Sequence, residues 1–200
     1  MNARRSARHL AHAAAGTLLV TGLLVSTQAS AQEGGAQASL RHDSSHDQKE
    51  STNVLVRTVR DATERFRDVS VAEAEGYSLL FGCVSGPDSG AMGLHYVNLP
   101  LVLDGVLDPA KPEIIIYEPL PNGKLKMTGA DFLVFADDWH KNNAATPDLM
   151  GQLLHLFESP NRFGLPNFYT LHVWAWKETP TGTFTNWHSN VSCDAFVPGQ

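Results

Sequence analysis

Ile114-Ile115-Ile116-Tyr117-Glu118-Pro119-Leu120-Pro121-Asn122-Gly123-Lys124-Leu125-Lys126-Met127-Thr128 is the stretch on which the fold turns. Its opening run of β-branched residues suits a short strand buried on both faces. Pro121-Asn122-Gly123 then carries turn chemistry. Lys124-Leu125-Lys126-Met127 alternates polar with apolar, the period of a half-buried strand. Together they predict a hairpin, 114–118 against 124–128, and so an antiparallel sheet. Phe132–Phe135 predicts a further strand.

Downstream, Phe168–Trp176 is the clearest strand in the chain. Side chains alternate faces along a strand, so Leu171, Val173 and Ala175 point one way and Thr170, His172, Trp174 and Trp176 the other. Between the two regions, Thr146-Pro147-Asp148 has the composition of a helix start. Leu149, Leu153, Leu156 and Phe157 would give that helix an apolar side, with His155 at its rim. Pro180-Thr181-Gly182 ends the long strand, and Thr183–His188 predicts a final short one.

Upstream, Leu94-His95-Tyr96-Val97 predicts a strand, entered through a loop marked by Gly82, Gly86, Pro87, Gly90 and Gly93. Leu55, Val59, Ala62, Phe66 and Val69 recur at helical spacing. Ser70 and Glu73 have capping-box spacing, where a short second helix could begin, and Gly76 is a stop signal. The expected fold is α+β: a mostly antiparallel sheet, capable of curling like a barrel, packed by a long N-terminal helix and a shorter second helix. One domain would span 52–200.

The N-terminus reads differently. Arg4, Arg5 and Arg8 precede an apolar run from Ala13 to Val25, and Ala29-Ser30-Ala31 places small residues at a cleavage position. That order defines a secretory signal over 1–31. The run is too short for a membrane anchor, which needs about 20 residues. Arg4-Arg5 leaves a twin-arginine signal open beside the general route. Residues 32–51 are polar with a single leucine, a flexible leader. Cleavage would remove three of the 15 Lys+Arg and none of the 21 Asp+Glu, moving the formal charge of −6 down by three, to −9. So acidic a domain is a poor partner for nucleic acid. With no second apolar stretch of spanning length, a secreted or periplasmic destination is expected. There Cys83 and Cys193, the two cysteines of the chain, most simply pair; a metal-bound or free reactive pair is the alternative.

No phosphate-binding glycine loop, dinucleotide fingerprint or G-x-S-x-G elbow is present. What remains is dispersed. His172 between two tryptophans makes an apolar wall with a metal-competent centre. His95 lies in a predicted strand, and Glu118 closes a buried one, where a carboxylate needs a partner. His95, Glu118 and His172 form a candidate ligand set for a divalent metal such as Zn, Fe, Mn or Cu, with Tyr96, Trp174 and Trp176 as candidate walls. Each histidine could equally be a core residue bonded to backbone. A separation of His95 and His172 beyond about 10 Å would rule out a shared ion.

Met92-Gly93-Leu94-His95-Tyr96-Val97-Asn98, Leu103-Asp104-Gly105-Val106-Leu107-Asp108-Pro109, Tyr117-Glu118-Pro119 and Leu171-His172-Val173-Trp174-Ala175-Trp176 resemble motifs of a family of uncharacterised secreted bacterial proteins. The likeness covers roughly 60–195. It implies export and one domain, implies no reaction, and draws attention to His95, Glu118 and His172. The expected function is therefore an exported domain binding a metal ion or small ligand. A metal-dependent or acid–base enzyme and an envelope interaction domain without a pocket stand as alternatives.

Overall fold

The computed structural model describes residues 52 and 54–198; the expected signal and the whole expected leader lie outside them. The fold is α+β. A helix over 54–63 (α1) leads through a 3-10 turn, Glu64–Arg67, to α2 (Val69–Ala74). The cap of α2 is Asp68, whose Oδ1 accepts from Ser70 N (3.0 Å) and Ser70 Oγ (2.8 Å). The expected Ser70/Glu73 box is therefore replaced by a start two residues earlier.

Six strands make one antiparallel sheet in the order β1 (Ser78–Ser85), β2 (Ala91–Val97), β3 (Ile114–Pro119), β4 (Leu125–Phe135), β8 (Phe168–Val173), β7 (His155–Phe157). Between β2 and β3 lies the short α3 (Leu99–Val102), and after β4 the short α4 (Ala136–Trp139). The hairpin at 114–128 forms as expected, with Tyr117 opposite Met127 and Glu118 opposite Lys126. Phe132–Phe135 is the continuation of β4 rather than a separate strand.

Three expectations are corrected. Residues 146–157 are not a helix: β5 (Asp148–Leu149) turns into β6 (Gln152–Leu153), and β7 follows. Met150 (φ 53) and Gly151 (φ 84) take the two left-handed positions of a tight hairpin turn, which overrides the helix-like spacing of the leucines. The shorter second helix is α2. The glycine-marked loop is shorter than expected, because β1 occupies 78–85 and β2 begins at Ala91, with Gly82 and Gly93 inside strands. Residues 183–188 form only an isolated bridge, Ala91 to His188, and β8 stops at Val173.

Both faces of the sheet are covered. Leu55, Val59 and Phe66 pack on one face against Tyr96, Ile115, Tyr117 and Leu171. The opposite face buries Ile114, Ile116, Leu133, Phe168 and Trp174 with Val191 of the C-terminal segment. That segment is fastened by a disulfide, Cys83–Cys193, closing a separation of 110 residues with Cα atoms 5.7 Å apart.

Candidate metal centre

His95, Asp131 and His172 come from β2, β4 and β8 and meet on the face away from α1 and α2. In a flat sheet β2 and β8, three spacings apart, would be about 14 Å from each other. Their histidine rings are 5.8 Å apart, edge to face. Only a strongly curled sheet permits this. The curl has local causes. Thr128 is an extra residue in β4 between the pairs Ile116–Gly129 and Tyr117–Met127, a bulge that increases twist. At Gly129 a Cβ would lie 2.4 Å from the Val173 carbonyl oxygen, so β4 and β8 approach there only because the side chain is missing. Gly93, with φ +91, likewise sits where a Cβ would meet the Tyr117 carbonyl oxygen at 2.6 Å.

All three residues are buried, at 5%, 3% and 3% exposure for His95, Asp131 and His172. His95 Nδ1–H donates to the Gly93 carbonyl (3.2 Å), which leaves Nε2 as the nitrogen with a free lone pair. Asp131 stands opposite His172 in the β4–β8 register, and its Oδ1 accepts from Thr170 Oγ1 at 2.5 Å. His172 Nδ1 is 3.6 Å from that same oxygen, too long for a hydrogen bond. Neither ring nitrogen of His172 makes a hydrogen bond of normal geometry with a described residue, although the Asn186 side chain, itself unpartnered at Oδ1, is near enough to favour the protonated ring. A buried polar group left unpaired costs about 1–3 kcal/mol, so this ring is expensive to keep as it stands.

Burial sets the protonation states. Desolvation, with the His172 charge adding to it, pulls His95 down to about 4. Desolvation, with a smaller contribution from His155, pulls His172 down to about 3. Desolvation pushes Asp131 up to about 6, while His95, the Thr170 hydroxyl and backbone N–H groups of Leu171 and Phe132 pull it back. At neutral pH the cluster is two neutral imidazoles and a largely ionised carboxylate. These are the forms that bind a metal.

One ligand atom from each residue lies within 4.8 Å of the others. Three donors at about 2.1 Å from one ion are about 3.4–3.6 Å from one another, so closing on an ion takes a contraction of up to about an ångström. Imidazole and carboxylate suit Zn, Fe, Mn or Cu. No thiolate joins them, because both cysteines are in the disulfide. Above the donors is a cavity of ≈ 30 Å³ whose walls include Phe81, Phe157, Phe163, Leu165 and Phe168.

The other expected site residues lie elsewhere. Glu118 is not brought to the cluster: its Oε2 pairs with Lys177 Nζ (2.7 Å) and its Oε1 accepts from Ser192 N (3.2 Å), pinning the C-terminal segment. Tyr96 faces the helices, edge-on to Tyr117. Trp176 follows the end of β8, where the alternation stops, and donates from Nε1 to Thr63 Oγ1 on the helix side (2.9 Å). Trp174 stays near the cluster, 5.8 Å from the His172 ring, yet packs on His188 rather than lining the cavity. His155 is exposed on β7. Asp131 and the phenylalanine wall were not among the expected residues.

Compared with family models, curated proteins and solved structures, the chain matches none. No helix among the described residues is long and apolar enough to cross a membrane.

Proposed function

We propose that this chain is an exported domain that holds a divalent transition metal through His95, Asp131 and His172. The observation that carries the reading is His172, buried with both ring nitrogens unpartnered beside a buried carboxylate. A bound ion would give that ring the partner it lacks and would neutralise a charge that burial makes costly. The disulfide fits an oxidising compartment, as do the N-terminal signal pattern and the resemblance to secreted bacterial proteins. A secreted or periplasmic location is part of the proposal. Three protein donors beneath a cavity leave coordination positions free, the arrangement a metal-dependent enzyme also uses, so this site serves that alternative equally.

The test is metal uptake. Purified protein, stripped with chelator and dialysed against Zn, Mn or Fe(II), should take up about one equivalent by elemental analysis, and calorimetry should show one saturable site. His172→Ala and Asp131→Asn should each weaken uptake by at least about tenfold, a loss of 1.4 kcal/mol or more. Absence of uptake, or unchanged uptake in both variants, would overturn the reading.

A further inference from the structure

The cavity over the donors is nearly all carbon. Beyond His95, Asp131 and His172, the sole polar side chain lining it is Thr170, whose hydroxyl already donates to Asp131. No lysine or arginine lines it. Arg162, the nearest cation in sequence to the wall, is turned outward: its Nη1 donates to the Ser85 carbonyl (3.2 Å), and its guanidinium lies by Phe163 and Trp187. The loop between β7 and β8 supplies Phe163 and Leu165 and is tightly held. Asn161 Oδ1 accepts from Phe163 N and Leu165 N (3.2 Å each), and Asn161 Nδ2 donates to the Leu165 carbonyl (2.9 Å). Phe168 stacks on Phe157 at 5.3 Å and meets Phe163 edge-on. At the solvent side Phe81, 38% exposed, closes edge-on against Phe163 at 5.6 Å. The ≈ 30 Å³ above the donors, open to solvent on one side, holds one or two water-sized molecules.

Resting on the metal reading above with Fe(II) as the ion, we infer that its free positions take a small uncharged ligand of diatomic size, of the class of dioxygen, nitric oxide or carbon monoxide. Such a ligand needs one donor atom on the metal and carbon around the rest of it. An anion would be drawn by the net positive charge of the ion with its one carboxylate, but it would lose its hydration against phenylalanine rings that offer no hydrogen-bond donor. A ring-sized ligand exceeds the ≈ 30 Å³ above the donors and would need a lining side chain such as Phe163 or Leu165 to move aside. The event is coordination alone: a lone pair is shared with the metal, and no bond in the ligand breaks.

The experiment uses the full chain loaded anaerobically with Fe(II), with iron content measured first. Nitric oxide is then titrated while the high-spin iron–nitrosyl EPR signal is followed, with azide and imidazole in parallel. The nitrosyl signal should rise in proportion to bound iron, while azide and imidazole leave the wild-type optical spectrum unchanged. Leu165→Ala, and independently the more exposed Phe81→Ala, should admit imidazole with an affinity gain of roughly tenfold or more. A chain that takes up none of Zn, Mn or Fe(II) overturns the metal reading and this inference with it; one that takes up another ion and no iron overturns this inference alone. Iron that loads without forming a nitrosyl overturns this inference alone, and so does wild-type protein that binds imidazole or azide as well as the opened variants do.

Discussion

On the helix-covered face, Tyr117 donates its hydroxyl to the Phe66 carbonyl (2.6 Å), Thr63 donates to Val59 O (2.6 Å), and Trp176 Nε1 reaches Thr63 Oγ1. On the opposite face, His172 of β8 and Asn186 of the C-terminal segment keep buried polar atoms without partners among the described residues. The first face satisfies most of its polar groups with backbone and neighbouring hydroxyls, Asn98 Oδ1 beside α2 being the exception. The second leaves a buried imidazole unpaired at both nitrogens. The difference separates residues that hold the fold from residues held by it.

The strongest way to break that contrast is a matched pair of substitutions. Phe132→Ala, on the helix-covered side of β4, should cost about 3–5 kcal/mol in urea unfolding through the cavity it leaves, with unchanged metal stoichiometry in the folded protein. His172→Leu, similar in volume and without unpaired nitrogens, should leave the metal-free protein within about 1 kcal/mol of wild type, or more stable, and abolish metal uptake. Equal damage from both would make the second face structural too. Metal at 100 times its dissociation constant should in turn stabilise wild type by about 2.7 kcal/mol and His172→Leu not at all.

Next in size is the disulfide. Cys193→Ser should lower stability by roughly 2–5 kcal/mol, and hydrogen exchange should rise in residues 183–198 before it rises in the β3–β4 hairpin. Simultaneous loosening of both would show that the C-terminal segment and the hairpin open as one unit.

Glu113 sharpens the contrast from another side. It is a buried carboxyl that does have a partner, accepting Leu133 N at 3.0 Å, yet desolvation pushes it up to about 8. A folded-state pKa raised this way favours folding below the unfolded value of 4.5, and the contribution is lost as pH rises through about 8. Glu113→Gln does not titrate. Its stability relative to wild type should therefore improve by a few kcal/mol between about pH 5 and about pH 9. A flat difference across that range would show that the side chain is solvated. The smallest effect is Tyr117→Phe, which removes one satisfied hydrogen bond and should cost about 1 kcal/mol without touching metal uptake.

The hairpin, the first helix, the disulfide and the run ending at Val173 were all legible because each rests on short-range periodicity or on the pairing of two thiols. His95 and His172 were legible as unusual residues in strands. Asp131 was not, because the alternation was read as starting at Phe132. Extending β4 back through Gly129, whose missing side chain hides the period, would have placed Asp131 mid-strand on the same face as Leu133. Glu118 misled for the converse reason: it ends a buried strand, but Lys177, 59 residues away, reaches it. The helix expected at 146–157 failed on two residues, Met150 and Gly151, whose turn conformation outweighs leucine spacing. No periodicity in the sequence reports how far a sheet curls, and curl is what joins β2 to β8.

That strand order has a consequence in time. The donors sit at residues 95, 131 and 172, on strands of which no two are consecutive in the chain. No hairpin, and no partly synthesised chain ending before β8, contains a complete ligand set. Contacts of such long sequence separation form late in folding. A metal captured at full affinity therefore reports that the whole sheet has closed, so ion loading would work as a test of completion. If the proposed site loads in a chain that crossed a membrane unfolded, the ion would be drawn from the destination compartment rather than from the cytoplasm.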